Sequence, residues 1–170
     1  GSIEIPPMIG IFTRAMKDKS NQSQCLAFSL DEGETWSYFD ANPVLDISNT
    51  DFRDPKVWWD SENNRWLLVA VKSEEFKAIF FQSDNLKDWT QLSEFGPAAA
   101  IGGCWECPDL FPLTTLQGRK KWVLLISINP GGPNGGSATQ YFIGEWDGKK
   151  FVADDLETRW LDHGFDNYAG

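Results

Sequence analysis

Glu106 is the first residue whose surroundings suggest chemistry. It stands between Trp105 and Cys107 in Gly-Gly-Cys-Trp-Glu-Cys-Pro-Asp-Leu-Phe, and the next charged residue along the chain is Asp109. A carboxyl group among apolar and aromatic neighbours is disfavoured as an anion, so we expect the pKa of Glu106 to be raised. A carboxyl group with a raised pKa can act as a general acid near neutral pH. The alternative is an ordinary acidic residue at the start of a strand.

The elements that must position this carboxyl are short strands arranged in a repeat. Helical periodicity is weak throughout, whereas brief apolar runs alternate with turn residues. A repeat of about fifty residues with four strands in each unit is typical of a propeller blade. The sequence therefore predicts an all-β fold, a partial five-bladed β-propeller with about three blades of four-stranded antiparallel sheets. The predicted strands are 52–59, 65–71, 76–81 and 89–92 in one unit, and 107–112, 120–127, 139–146 and 151–153 in the next.

The repeat also predicts how the 170 residues divide. We expect one partial propeller domain whose first unit begins at its second strand and whose last segment begins a further unit. The predicted ranges are 3–45 for the incomplete blade, 50–95 and 104–155 for the two complete blades, and 160–170 for the start of the next blade.

One turn supports this fold class. Residues 29–36 match Ser-x-Asp-x-Gly-x-Thr-Trp at every specified position. Asp31 can accept bonds from backbone N–H groups and Gly33 can adopt a positive φ, which together make a hairpin turn. The motif resembles the Asp-box turn of β-propeller glycosidases, although it carries no catalytic information.

A second charged group occupies the matching place in the preceding unit. Arg53 and Asp54 lie beside Pro55, 53 residues before the proline that follows Glu106 and Cys107. Innermost blade strands line one channel, so we expect Arg53, Asp54 and Glu106 to share a pocket. Two carboxyl groups facing each other across a pocket are typical of glycoside hydrolysis. Arg53 would keep Asp54 ionised, although a structural ion pair at a strand end explains Arg53 and Asp54 equally well.

Composition restricts the partners. The net charge of -10 argues against a nucleic-acid or anionic-membrane surface and suits a neutral substrate. No apolar run reaches membrane-spanning length. The three cysteines and one histidine make a poor disulfide framework and a poor zinc site, so we expect buried free thiols and no metal. No signal peptide opens the chain, and its cellular location stays open.

Three motifs together resemble family 32 of the glycoside hydrolases, which contains invertases, levanases and inulinases. They are Phe-Arg-Asp-Pro-Lys-Val at 52–57, Trp-Glu-Cys-Pro-Asp-Leu-Phe at 105–111 and Ser-Ile-Asn-Pro-Gly-Gly-Pro-Asn-Gly-Gly-Ser-Ala-Thr-Gln-Tyr-Phe at 127–142. The opening and closing segments also fit, so the resemblance covers nearly the whole chain. The resemblance implies a retaining hydrolase that acts on β-fructofuranosidic bonds in sucrose or fructans and needs no cofactor. It is also compatible with a secreted parent enzyme.

The resemblance also implies residue roles. Glu106 matches the general acid/base, Asp54 the transition-state stabiliser and Arg53 a substrate-binding arginine. We expect Trp105 to line the channel and bind substrate beside Glu106. Asp166, in a segment that matches the family's Asp-x-Tyr-Ala together with Tyr168, is a weaker candidate for the pocket.

The family's nucleophile motif contains Asn-Asp-Pro, and no Asn-Asp-Pro occurs in this chain. The sequence therefore predicts a fragment of the catalytic propeller that is inactive by itself. Two alternatives stay open: a related five-bladed glycosidase acting on arabinan or xylan, and a non-catalytic fragment that binds sugar or self-associates through exposed blade edges.

Overall fold

The computed structural model describes residues 6–166, and these residues form twelve strands and no helix. The strands make three separate four-stranded sheets, all antiparallel. The all-β prediction is confirmed. Within the described residues no helix is long and apolar enough to cross a membrane.

The first sheet contains four strands but is only three strands wide, because its last two strands lie end to end along one side of β2. β3 and β4 both pair with β2, at different points along it, while β1 pairs with the other side. The strands are β1 (Met8–Ala15), β2 (Gln22–Ser29), β3 (Ser37–Tyr38) and β4 (Leu45–Asn49).

The second and third sheets are regular four-stranded meanders in chain order. The second contains β5 (Phe52–Asp60), β6 (Arg65–Lys72), β7 (Lys77–Ser83) and β8 (Thr90–Phe95). The third contains β9 (Cys104–Thr114), β10 (Lys120–Asn129), β11 (Ala138–Trp146) and β12 (Phe151–Ala153).

The second sheet is buried on both faces, and the sequence of β6 follows from this. Side chains alternate between the two faces of a strand, so a strand covered on both sides must be apolar throughout. Leu68 and Ala70 pack toward the first sheet, in a core with Phe52 and Phe81. Val69 and Val71 pack toward the third sheet, in a larger core that also contains Phe80, Leu124, Ile126 and Phe142.

Two turns at the ends of strands use the same chemistry with different residues. Asp31 accepts hydrogen bonds from the hydroxyl of Thr35 at 2.5 Å and from its backbone N–H at 2.9 Å, which lower the pKa of Asp31 to about 2. In the next sheet Asn85 takes this position, where its Oδ1 accepts the backbone N–H groups of Lys87 and Asp88, each at 2.9 Å. A side-chain oxygen two residues after the strand therefore organises both turns.

Candidate active site

The site is built on two matching bulges in the innermost strands of neighbouring sheets. Arg53 pairs with Val71 and Lys56 with Val69, so two residues of β5 lie opposite one residue of β6. The same irregularity occurs in β9, between Glu106 and Asp109. A bulge bends the strand and redirects the side chains beside it, and bulges are frequent next to active sites.

Each bulge begins with a residue in the left-handed region, followed by proline. Asp54 has φ of 58° and Cys107 has φ of 48°. Such values are uncommon for residues other than glycine and persist where the surrounding structure enforces them. Pro55 and Pro108 follow within the strands, where the bulge removes the need for a donated N–H. Arg53 therefore corresponds to Glu106, and Asp54 corresponds to Cys107.

Arg53 and Glu106 form an ion pair across the two sheets. Arg53 Nη2 lies 3.2 Å from Glu106 Oε1 and 2.6 Å from the hydroxyl of Ser73, while Nη1 bonds to the carboxylate of Asp51. Burial lowers the pKa of Arg53, but the charges of Asp51 and Glu106 raise it above its usual value. The guanidinium is therefore a permanent cation fixed between two carboxylates.

This arrangement corrects two expectations about the charges. Arg53 was expected to pair with Asp54, but its guanidinium turns to Asp51 and Glu106. Glu106 was expected in apolar surroundings, but its carboxylate meets Arg53, and its side chain keeps 23% of its surface exposed. Arg53 therefore finds two partners at the edge of its own sheet, Asp51 and Ser73, and one in the neighbouring sheet, Glu106.

Asp54 is held by both neighbouring sheets. Its backbone N–H donates to the Thr13 hydroxyl of β1 at 3.1 Å, and its Oδ2 accepts the backbone N–H of Cys107 at 3.0 Å. Cys107 directly follows Glu106 in the chain. The bond from the Cys107 N–H to Asp54 therefore holds the backbone of Glu106 close to the carboxylate of Asp54. Oδ1 of Asp54 accepts no hydrogen bond from residues 6–166. The structure therefore brings Arg53, Asp54 and Glu106 together across two sheets.

The thiol of Cys107 lies beside these carboxylates. Burial raises its pKa to about 11, and the charges of Asp54 and Glu106 contribute to the increase. A thiol with this pKa stays protonated at neutral pH and is a poor nucleophile. All three cysteines are free, and no group of three potential metal ligands occurs among residues 6–166.

A cavity of about 270 Å³ opens between the two bulges. Asp54 and Cys107 line it together with Pro55, Pro108 and the ion pair of Lys56 and Asp109, which are 3.0 Å apart. The adjoining cluster holds three carboxyl groups, those of Asp51, Asp54 and Glu106, against one guanidinium, that of Arg53. This negative balance favours a neutral ligand over an anionic one.

Trp105 does not line the channel, and that prediction is wrong. Its side chain is fully buried, and its indole N–H donates to the carbonyl oxygen of Ala100 at 2.9 Å. The rings of Phe76 and Phe95 lie 6.3 and 6.5 Å from it, centroid to centroid. Successive side chains of β9 point to opposite faces of the sheet. Because Glu106 faces the site, Trp105 points into the core between the second and third sheets.

Asp166 contacts a different part of the molecule. Its Oδ1 accepts the backbone N–H of Ser137 at 3.0 Å and the hydroxyl of the same residue at 3.2 Å. These bonds join Asp166 to the loop before β11 and not to Arg53 or Glu106. Tyr168, the other residue of this motif, lies outside the described residues.

Sequence reasoning missed the residues that support the charged cluster. Asp51 and Ser73 hold Arg53. Thr13 donates to Gln24 Oε1 at 2.9 Å, and Gln24 Nε2 donates to the carbonyl of Phe52 at 2.8 Å. Only Gln24 carried a signal, as a polar residue entering the apolar run of β2.

The model of the glycosyl hydrolases family 32 N-terminal domain matches residues 5–170. The chain belongs to glycosyl hydrolase family 32. Membership confirms the family that the three motifs indicated.

Two curated members of family 32 illustrate the similarity. An invertase of Debaryomyces hansenii is 45% identical over 163 residues, which cover 95% of this chain and 30% of the invertase. An extracellular exo-inulinase of Aspergillus ficuum is 45% identical over 169 residues, covering 89% of this chain and 32% of the inulinase. The chain thus spans about a third of the length of these relatives.

The fold agrees with solved structures of the family. The fructofuranosidase of Schwanniomyces occidentalis complexed with fructose matches with a TM-score of 0.86 and 44% identity, over 92% of this chain and 30% of that one. An exo-inulinase of Aspergillus awamori matches with a TM-score of 0.82 and 40% identity, over 92% and 36%. The predicted partial β-propeller is confirmed, and the three sheets are its blades.

Proposed function

We propose that this chain is part of a retaining hydrolase that cleaves β-fructofuranosidic bonds in sucrose or fructans. Glu106 is the general acid/base, Asp54 stabilises the transition state and Arg53 binds substrate and orients Glu106. The observation that carries the proposal is a cluster of two carboxyl groups and one guanidinium drawn from two blades. The 3.2 Å ion pair between Arg53 and Glu106 and the 3.0 Å hydrogen bond from Cys107 N to Asp54 hold the cluster together.

The chemistry has two steps. Glu106 gives its proton to the leaving oxygen as an aspartate outside this segment attacks the anomeric carbon, so that a fructosyl ester forms and an alcohol leaves. The Glu106 carboxylate then removes a proton from water, which attacks the same carbon and releases fructose and the aspartate. The partly exposed Glu106 side chain can reach both the leaving oxygen and the water.

Asp54 has a role that suits its hydrogen bonds. Oδ2 is occupied by the Cys107 N–H, which leaves Oδ1 to accept a sugar hydroxyl. A hydrogen bond from a sugar hydroxyl to a carboxylate strengthens as positive charge develops on the ring, so it stabilises the transition state more than the bound substrate. The neutral substrate also suits the negative balance of the site.

Substitution in the full-length translation product tests the acid/base role. Glu106→Gln keeps the side-chain shape but removes the transferable proton, and should lower kcat by about 10²- to 10⁴-fold. Glu94→Gln is the matched control, because Glu94 pairs with Lys77 at 2.7 Å on an exposed hairpin. Release of fructose from sucrose and inulin is the measurement, and equal rates for the two variants would contradict the proposal.

The 170-residue chain by itself provides a second test. Without an Asn-Asp-Pro motif it lacks the expected nucleophile, so it should release no fructose from sucrose, inulin or levan. Fructose release by the purified chain would show that the nucleophile is within it and that the assignment above is incomplete.

A further inference from the structure

A groove lined by tryptophans lies between the second and third blades, away from the charged cluster. Trp58 and Trp59, at the end of β5, line it from the second blade, and Trp122 and Trp146 line it from the third. The rings of Trp58 and Trp146 meet edge to face, with centroids 6.4 Å apart. Arg53 lies opposite Val71 and Trp58 opposite Leu67, four residues apart on β6, which places Trp58 about 13 Å farther along the sheet at ~3.3 Å per residue. The groove has a volume of about 430 Å³, within the range of small-molecule sites.

Both walls of this groove belong to blades that the chain contains. The second blade supplies Leu67 beside its two tryptophans, and the third supplies Pro112 beside Trp122. The groove is therefore formed by two packed blades that the chain contains.

The tryptophans of the groove differ from three others in their hydrogen bonds. The indole N–H groups of Trp36, Trp89 and Trp105 each donate to a backbone carbonyl. None of the four indole N–H groups of the groove donates to an acceptor within residues 6–166. Trp59 is 43% exposed, whereas Trp58, Trp122 and Trp146 are partly buried against the core. The exposed parts of these indoles offer apolar surface and an unused donor to the same ligand.

The rim of the groove is already ordered by contacts that cross it. Lys120 Nζ of the third blade lies 3.3 Å from Glu62 of the second and 5.1 Å from the centre of the Trp122 ring. From the other direction, Arg65 pairs with Asp60 at 3.2 Å and donates to the carbonyl of Gly148. A site ordered before binding loses less conformational entropy when a ligand binds.

We propose that this groove is a second saccharide site, which binds a neutral oligosaccharide apart from the catalytic cluster. The C–H faces of sugar rings would lie on the indole faces, and their hydroxyls would meet the indole N–H groups and the polar rim residues Ser61 and Asn63. The rim lysine and arginine are already paired with carboxylates, so the groove offers no unpaired cation to an anionic ligand. The inference does not depend on the hydrolytic role of Glu106.

Titration with nystose, a neutral fructosyl tetrasaccharide, tests the site in the 170-residue chain. The nine indole N–H signals of the ¹⁵N-labelled chain, each assigned through a Trp→Phe variant, report each tryptophan separately. We expect saturable shifts of the signals from Trp58, Trp59, Trp122 and Trp146, and none from the three indoles bonded to carbonyls. An absence of saturable shifts at the four groove tryptophans overturns the proposal.

Two variants and one solute complete the experiment. Trp59→Ala should weaken binding at least tenfold, because Trp59 lines the groove. Trp36 lies outside the groove and is about equally accessible, at 47% exposure against 43% for Trp59, so Trp36→Ala is the matched control and should leave binding unchanged. Glu106→Gln should leave groove binding unchanged, whatever it does to activity. The remaining indole signals show whether each variant is folded. Equal shifts with polyethylene glycol, or binding that survives Trp59→Ala, would overturn the saccharide assignment.

Discussion

Arg53 and Glu106 occupy the same position in two successive blades, and their side chains meet with 3.2 Å between Nη2 and Oε1. Each directly precedes the left-handed residue of its bulge, so the two bulges aim one cation and one carboxylate at each other. The structural repeat thus carries opposite charges at equivalent positions. This is how a repetitive fold produces an asymmetric site.

Asp51 is expected to anchor this pair. It accepts hydrogen bonds from the Arg53 guanidinium and from the backbone N–H of Glu74, and its side chain is only 14% exposed. Asp51→Asn keeps one acceptor oxygen and replaces the other with an NH2 group, so one of the two partly buried donors loses its partner. The change should cost about 1–3 kcal/mol of unfolding free energy. Urea denaturation measures the change. Asp18→Asn, on an exposed turn, is the control and should change stability much less than Asp51→Asn does. Equal losses in both variants would refute the anchoring role.

Trp105 is expected to contribute to stability and not to substrate contact. Trp105→Ala removes a fully buried ring and its 2.9 Å bond to Ala100, and should lower the unfolding free energy by about 3–5 kcal/mol. The matched variant Trp36→Ala, at 47% exposure, should cost about 1 kcal/mol or less. Thermal or urea unfolding of both variants decides the matter, and a small loss in Trp105→Ala would contradict its place in the core.

The Cys107 thiol is expected to react slowly, with a pH dependence set by its surroundings. With a pKa of about 11 its thiolate fraction at pH 8 is roughly 100-fold below that of a thiol with a pKa of 9. Iodoacetamide alkylation of Cys107, followed by peptide mass spectrometry, should therefore accelerate about tenfold per pH unit from pH 7 to 9.5 without a plateau.

A substitution isolates the electrostatic part of this effect. Asp54→Asn removes a negative charge that raises the pKa of Cys107, so the pKa should fall and alkylation at pH 8 should become faster. Asp88→Asn, on an exposed turn of the second blade, should leave the rate unchanged. A plateau below pH 9.5, or equal rates for all three proteins, would be inconsistent with the predicted pKa.

The chain is expected to associate with itself through its first blade. Within residues 6–166, β1 pairs only with β2, so its other edge is open, and Met8 and Ile9 on this strand are exposed. Open strand edges with apolar side chains favour edge-to-edge pairing, and a lysine on the edge opposes it. Light scattering after size-exclusion chromatography should show a mass that rises with concentration, and Ile9→Lys should reduce it.

The control for this prediction is Leu116→Lys, which changes an exposed leucine in the β9–β10 loop. It adds the same charge without changing an open edge, so association should persist. A wild-type chain that stays monomeric at every concentration would show that the edge of β1 does not recruit partners.

The strand pattern was predictable because it depends on local interactions. Apolar alternation, turn residues such as Gly33 and the 53-residue spacing of Pro55 and Pro108 are all encoded within short stretches. These features predicted the sheets, their order and the position at which Arg53, Asp54 and Glu106 converge. The motifs around them also indicated the family.

The partners of each charged group depended on tertiary structure. The bulges aim Arg53 at Asp51, Ser73 and Glu106 instead of Asp54, and they place the Cys107 N–H on Asp54. These contacts join residues up to 53 positions apart, and their geometry follows from how two sheets pack and where each strand bends. The sequence by itself determined the strands and the convergence of Arg53, Asp54 and Glu106. Only the packing of the blades decided that Trp105 is core and that Glu106 is paired with a cation. The physical reason is the sequence separation over which each interaction acts. Strand and turn preferences depend on residues that are neighbours in the chain, whereas ion pairing and core packing depend on residues that are neighbours in space.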